Sequence, residues 1–312
     1  MVAEFDVIDR FFRRTSDFQH AQTVLGNGDD ASIHRLEQDQ EIVVSTDISV
    51  AGIHWPTDFP LDAAAERAVG AALSDLAAMG AQPAWAWVGV QAVDVDDIEA
   101  MATGVVAALN RWQVELAGGD TVSSRGNSLS VTVAGMLPAG EAMRRDAARI
   151  GDEVWLCGRI GFAAFGLQQW NRGRREGDYI DAFKRISPLI EAGTNFRQLG
   201  VRCCIDVSDG LIQDAGHIAR ASDVCLELES ESFPGLDVLS GASSREYALA
   251  CALTGGEDYA LLFTAAPELS DQLSGLASRI GCCSGKDAGV VWMDGKPEDR
   301  VVKGYDHFSD RS

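Results

Sequence analysis

The chain has 312 residues, 46% of them apolar, and a formal net charge of −21. That length suits two domains or one large one with an ordinary core. The acidity excludes the basic footprint of a nucleic-acid-binding protein and makes an anionic membrane surface unattractive, and no apolar run approaches the roughly 18 residues of a transmembrane helix.

In chain order, residues 4–14 predict a short amphipathic helix. The opening stretch MVAEFDVIDRFFRR mixes charges into its apolar residues and lacks a signal-peptide core, so the expectation is a soluble, cytoplasmic protein. Ile42 to Ser45 reads as a strand running into Thr46-Asp47. Ala63 to Met79 is Ala-rich with Val69, Leu73, Leu76 and Ala77 on one stripe, which predicts a helix. Ala84 to Ala92 alternates like a strand, and Ile98 to Trp112 predicts a second helix, capped near Asp96-Asp97. A strand over Val114 to Ala117 ends in the turn Gly118-Gly119-Asp120-Thr121, and Leu129 to Leu137 is a strand before Pro138.

The polar, basic stretch from Pro138 to Asp152 marks the domain boundary, giving domains at 1–140 and 141–312. The second half restarts with a strand over Glu153 to Cys157, helices near 162–170 and 188–199, and a strand over Cys203 to Val207 leading into Ser208-Asp209-Gly210. A helix from Leu211, a strand near 224–228, a helix near 245–253, the turn Gly255-Gly256-Glu257-Asp258 and a strand from Tyr259 follow. A helix near 268–280 and a strand near 289–293 close the chain. Irregular alternation of strands and helices predicts an α/β or α+β fold with two layers per domain.

All seven cysteines lie between Cys157 and Cys283 without a C-x-x-C pair, which argues against a zinc or thioredoxin-like site and for buried reduced thiols.

Carboxylates in turns carry the functional signal. They occur in Gly28-Asp29-Asp30, Ser45-Thr46-Asp47, Gly119-Asp120, Asp206-Val207-Ser208-Asp209 and Gly256-Glu257-Asp258, and Asp75 falls inside the Ala-rich helix. Any one Asp in a turn is most simply an Asx-turn or helix cap, and Asp94, Asp96, Asp97, Asp146 and Asp152 are read that way. Asp75 fits poorly, because Asp competes for backbone hydrogen bonds inside a helix. Oxygen-only donors at strand ends suit a hard cation such as Mg²⁺.

The stretch LGNGDDA, Leu25 to Ala31, loosely fits the dinucleotide loop G-x-G-x-x-A, but two carboxylates beside a phosphate repel it unless metal lies between. It is better read as metal-bridged phosphate binding. No Walker A motif exists; the nearest run, Gly281 to Asp287, is one residue short and ends in Asp.

The motifs LGNGDDA, STDISVAGIHW, LSDLAAMGAQPAW, LAGGDT, DVSDGL, LTGGEDYALLF and KGYDHF, in this order over residues 25–308, resemble the thiamine-monophosphate kinase family. That family shares a superfamily with aminoimidazole ribonucleotide synthetase, selenophosphate synthetase and a hydrogenase-maturation protein. The resemblance implies a two-domain aminoimidazole ribonucleotide synthetase-like fold, with an N-terminal metal- and ATP-binding domain that pairs its sheet with a second copy, and a C-terminal α/β domain completing an active-site cleft. It implies ATP-dependent phosphorylation of thiamine monophosphate to thiamine diphosphate, with several Mg²⁺ ions, ATP as co-substrate and a homodimer. It makes Asp30, Ser45, Thr46, Asp47, Asp75, Asp120, Asp206 and Asp209 Mg²⁺ ligands, with Asp47, Asp75, Asp120 and Asp209 catalytic. Gly119, Asp120, Ser208 and Arg145 (or the adjacent Arg144) become ATP contacts. His54, Glu257 and Tyr305 become substrate contacts. Family members often carry a basic residue directly after the GGDT turn; here the run is VSSRG, so Arg125 comes later.

Alternatives are another ATP-using enzyme of the superfamily and a non-catalytic divalent-cation-binding protein. The chain has no Cys before Cys157 and ends in FSDRS, unlike branches that use a terminal cysteine, and it has no EF-hand loop.

Overall fold

A computed structural model describes residue 12 and residues 18–27 and 31–293. The predicted helix over 4–14, apart from Phe12, lies outside the described residues, as do Gly28, Asp29, Asp30 and the KGYDHF motif with Tyr305. The chain divides into two compact units: Met1–Leu76 with Ala81–Gly140, and Ala77–Gly80 with Glu141–Ser312.

The first unit contains a ribbon of β1 (Thr23–Leu25) and β2 (Ile33–His34), then β3 (Gln40–Val50), α1 (Leu61–Met79, its last turn from Ala77 counted with the second unit), β4 (Gln82–Ala92), α2 (Val95–Trp112), β5 (Glu115–Ser123) and β6 (Ser128–Pro138). Its four-stranded sheet runs β3-β6-β4-β5. β4 and β5 are parallel, which requires the crossover helix α2 between them, and the other pairs are antiparallel. α1 is apolar on nearly every side because its alanines are small enough to bury all round: Ala64, Ala65, Ala68, Ala72 and Ala77 are all in the core. α2 approaches so closely that a Cβ on Gly104 would lie 2.0 Å from the Asp62 carbonyl oxygen. Its N-cap is Asp94, which accepts from the Asp97 amide at 2.9 Å, two residues upstream of the predicted cap.

Two runs expected to be turns lie inside strands. Ser45-Thr46-Asp47 sits mid-way along β3, paired with β6 residue for residue, and Gly118-Gly119-Asp120-Thr121 lies within β5. Continuous pairing of eleven residues outweighs the local polarity of the first run. In the second, glycine permits the strand to close: a Cβ on Gly119 would stand 2.2 Å from the Val88 carbonyl oxygen.

The second unit comprises β7 (Glu153–Cys157), α3 (Phe162–Asn171), α4 (Asp178–Lys184), α5 (Ile190–Leu199), β8 (Cys203–Val207), α6 (Leu211–Ser222), β9 (Cys225–Glu229), α7 (Leu236–Ala242), α8 (Arg245–Thr254), β10 (Ala260–Ala265), α9 (Ser270–Leu273), β11 (Ser278–Ser284) and β12 (Gly289–Met293). The six-stranded sheet runs β12-β9-β11-β7-β10-β8, with only β12 and β9 parallel. Its core joins Val154, Leu156, Ile205, Leu226 and Leu262 of the strands to Phe162, Leu211, Ile218 and Leu249 of the helices. The mixed architecture agrees with the expected α/β (α+β) class. The expected helix over 268–280 is instead a single turn, α9, followed by β11. Gly281 lets β11 press against β9, where a Cβ would meet the Glu227 carbonyl oxygen at 2.0 Å.

The seven cysteines are free thiols, five of them buried. Burial pushes the Cys203 thiol up to about 11 and Cys283 to about 12, so neither is poised as a nucleophile. No described helix is long and apolar enough to cross a membrane.

Candidate active site

In the first unit the site grows from strand alternation. Successive side chains on β3 point to opposite faces. Ser45 and Asp47 therefore share the face that meets α1, where Ser45 Oγ donates to Asp75 Oδ2 at 2.5 Å. That contact gives Asp75 a reason to stand inside a helix. Thr46 projects to the other face, its hydroxyl 2.9 Å from that of Thr132. The register runs Asp47–Val131–Val88–Gly119 in one row and Ile48–Ser130–Gly89–Asp120 in the next, so Asp120 takes the face opposite Asp47. Asp120 is exposed, and its Oδ1 accepts from the Thr121 amide at 2.8 Å.

Asp120, Gly118, Gly119 and Thr121 line a small cavity with Asn27, which immediately precedes Gly28-Asp29-Asp30. The first motif and the fourth thus come together in space. A polar network holds the chain there. Trp85 Nε1 donates to Thr23 Oγ1 at 2.8 Å, Thr23 donates onward to buried Glu115 at 2.6 Å, and Trp87 Nε1 donates to Ser32 Oγ at 3.0 Å. Burial lowers the pKa of His34, which packs on Trp85 beside this network.

His54 lies in the loop after β3. Its Nδ1 accepts from the Val50 amide at 3.0 Å, which leaves the proton on Nε2.

In the second unit the DVSDGL and GGED motifs interlock. The Glu257 amide donates to the Ser208 carbonyl and the Tyr259 amide to that of Val207, each at 2.8 Å. A Cβ on Gly256 would sit 2.3 Å from the Ser208 oxygen. Glu257 and Tyr259 both adopt positive φ, and the Tyr259 hydroxyl donates to Glu257 Oε2 at 3.2 Å. Glu257 is thereby held by a backbone conformation costly for non-glycine residues. Asp206 is buried on β8, and Asp209 follows that strand and accepts from the Gln213 amide group at 2.9 Å.

Two carboxylates gain roles the sequence did not assign. Asp214, in the first turn of α6, accepts the backbone N–H groups of Ser208 and Asp209, each at 3.0 Å, and so fixes the SDG turn. Burial pushes it up to about 7, with the Asp209 and Asp206 charges adding to the rise. Asp258 caps α3 from outside the helix, accepting from Gly161 at 2.5 Å and Ala163 at 2.9 Å, and burial lifts it to about 7. An Asp five positions after Asp209 at a helix start was the available signal for the first; the second stood among the turn carboxylates, but nothing local pointed to its capping a distant helix.

Arg144 forms a bidentate pair with Asp146, at 2.9 and 2.6 Å, while the neighbouring Arg145 side chain is exposed.

Among the described residues no group of three His, Cys, Asp or Glu is assembled to hold a metal ion. The donors that are placed, Ser45, Asp47 and Asp75 around one face of β3, are oxygen-only and fit a hard cation that keeps its waters and needs one or two carboxylates.

Residues 28–137 match the family model described as AIR synthase related protein, N-terminal domain. The chain is 37% identical over 324 residues to the thiamine-monophosphate kinase of Escherichia coli (strain K12), covering 98% of both chains. The chain belongs to the thiamine-monophosphate kinase family. It is similar in structure to the thiamine-monophosphate kinase from Stenotrophomonas maltophilia K279a, with a TM-score of 0.84, 34% identity and coverage of 95% and 98%. It is also similar to AaThiL complexed with AMPPCP and TMP, with a TM-score of 0.77, 27% identity and coverage of 98% and 97%. The family fold accounts for the mixed sheets of both units.

Proposed function

We propose that this chain transfers the γ-phosphoryl group of ATP to thiamine monophosphate, releasing ADP and thiamine diphosphate in thiamine diphosphate biosynthesis. The observation that carries the reading is the full-length likeness to a protein holding AMPPCP, a non-transferable ATP analogue, together with TMP. An oxygen of the acceptor phosphate forms the new P–O bond while the bond from the γ-phosphorus to the β–γ bridging oxygen breaks. The acceptor phosphate is largely ionised at neutral pH, so the step requires no strong general base. Positioning and charge neutralisation carry phosphoryl transfer.

Asp47, Asp75 and Ser45, with Asp30, Thr46, Asp120, Asp206 and Asp209, are the residues that would hold Mg²⁺. When bound, Mg²⁺ neutralises the phosphate oxygens of donor and acceptor. Gly119, Ser208 and Arg145 complete the ATP contacts. The pairing of Arg144 with Asp146 supports Arg145 in that role. His54 presents its Nε2 proton to the acceptor phosphate. Glu257 balances the cationic thiazolium, and Tyr305 supplies an aromatic face.

The working protein is a cytoplasmic homodimer in this reading. Support comes from edge strand β3, whose outward face exposes Ile42, Val44 and Ile48 at 46%, 57% and 59%. An apolar edge of this kind invites pairing with a second copy. Incubating the protein with ATP, Mg²⁺ and thiamine monophosphate, and separately with thiamine, then separating the products by chromatography, tests the assignment. Thiamine diphosphate is expected only from the monophosphate.

A further inference from the structure

We propose that an open cavity in the second unit, at the N-terminal end of α8, binds a small aromatic molecule carrying an anionic group, at a site separate from the phosphoryl-transfer residues. The cavity has a volume of about 380 Å³ and is walled by Phe165 and Gln169 of α3, Arg172 and Arg174 beyond its end, Tyr179 of α4 and Tyr247 of α8. That volume lies in the range of small-ligand sites.

Three features define the ligand. The rings of Tyr179 and Tyr247 flank Phe165, with centroids 4.6 and 6.1 Å from it, and offer aromatic surface to a flat molecule. Two guanidinium groups stand at the wall, neither in an ion pair among the described residues, and no carboxylate lines the cavity. In a chain of net charge −21 that local surplus of positive charge runs against composition, and arginine is the side chain best suited to a phosphate or carboxylate. The third feature is Gln169, only 6% exposed, which lines the cavity. A side-chain amide carries both donors and an acceptor for a ligand's polar group.

The cavity is distinct from the acceptor turn. Its lining contains none of the residues assigned to phosphoryl transfer, and Ser244 and Tyr247 stand at the N-terminal end of α8, whose C-terminal end runs into Gly255-Gly256-Glu257.

Phenyl phosphate is a suitable probe, titrated calorimetrically into the full-length protein beside inorganic phosphate and phenol. One saturable site is expected, retained when AMPPCP and thiamine monophosphate are both present in excess. Phosphate and phenol should each bind at least about ten-fold more weakly. The double variant Arg172→Ala/Arg174→Ala, whose changes are at exposed positions, and Gln169→Leu should each weaken phenyl phosphate by about ten-fold or more, with melting curves verifying the fold. Absence of saturable heat up to about 10 mM, competition by AMPPCP, equal affinity for inorganic phosphate, or unchanged affinity in the double variant would each overturn the proposal.

Discussion

Ser45 Oγ donates to Asp75 Oδ2 at 2.5 Å, joining the middle of β3 to the interior of α1. The bond orients a carboxylate that helix propensity disfavours at that position. It also sets Asp75 beside the face of β3 that carries Asp47. Replacing Asp75 with Asn should keep the shape and remove the charge. Turnover is expected to fall by about three orders of magnitude, in line with several kcal/mol of lost transition-state stabilisation. Ser45→Ala should cost about ten-fold, the scale of one hydrogen bond. Steady-state rates with circular dichroism as the fold control check both, and near-wild-type turnover of Asp75→Asn at limiting Mg²⁺ removes Asp75 from the site.

Asp47 and Asp120 occupy opposite faces of one sheet. If both serve cations, they do so in different places, and Asp47→Asn and Asp120→Asn should differ in kind. Each is expected to lower turnover by about a hundred-fold or more. The Asp120 variant, whose side chain lines the cavity with Asn27 and Gly119, should raise the KM for ATP more than the Asp47 variant does. Varying ATP and Mg²⁺ independently separates the two, and identical profiles would place both residues on one ion.

Much of this was legible in the sequence, and the residues show where legibility ended. Strands such as Cys203–Val207 and helices such as α2 carry strong periodicity and a clean cap, so their bounds emerge within a few residues. The motif runs STD and GGDT read as turns because Gly, Asp and Ser favour turns locally. They became strand because partners on β6 and β4 supplied ladders that no local rule contains. β11, Ser278–Ser284, was hidden because SRIGCCS has little β-branched character and its pairing with β7 and β9 is entirely long-range. The site residues were visible as unusual carboxylates. The supporting role of Asp258 was not, because the backbone N–H groups it caps come near only through the fold; that of Asp214 is local, on the turn just before its helix, and had no motif to mark it.

Asp258 gives a pH signature. Burial lifts its carboxyl from 3.8 to about 7 in the folded chain. A raised folded-state pKa means that the protonated form is favoured by folding, so its stability contribution is full below the unfolded value and is lost as pH rises through about 7. Asp258→Asn cannot titrate. Its deficit in unfolding free energy against wild type should therefore be larger at pH 5 than at pH 8, shrinking by on the order of 2 kcal/mol over that range, as denaturant melts at each pH would show. A deficit that stays constant across that range would show that the carboxyl titrates at its ordinary value.

Glu257 is fixed by a positive φ and by the Tyr259 hydroxyl. Glu257→Gln preserves both features and removes the charge proposed to balance the cationic thiazolium. The KM for thiamine monophosphate should rise by about ten-fold or more while that for ATP changes little. Kinetics with each substrate varied in turn decide it; a rise confined to ATP would move Glu257 to the nucleotide.

Direct, metal-assisted transfer of a phosphoryl group from ATP to thiamine monophosphate leaves a signature in labelled product. The most direct measurement follows γ-labelled ATP into product, with Mg²⁺ present and after exhaustive chelation. Label is expected in thiamine diphosphate at one equivalent per ADP formed, none after chelation, with recovery on adding Mg²⁺. Label released only as inorganic phosphate, or robust transfer in the chelated sample, would contradict it.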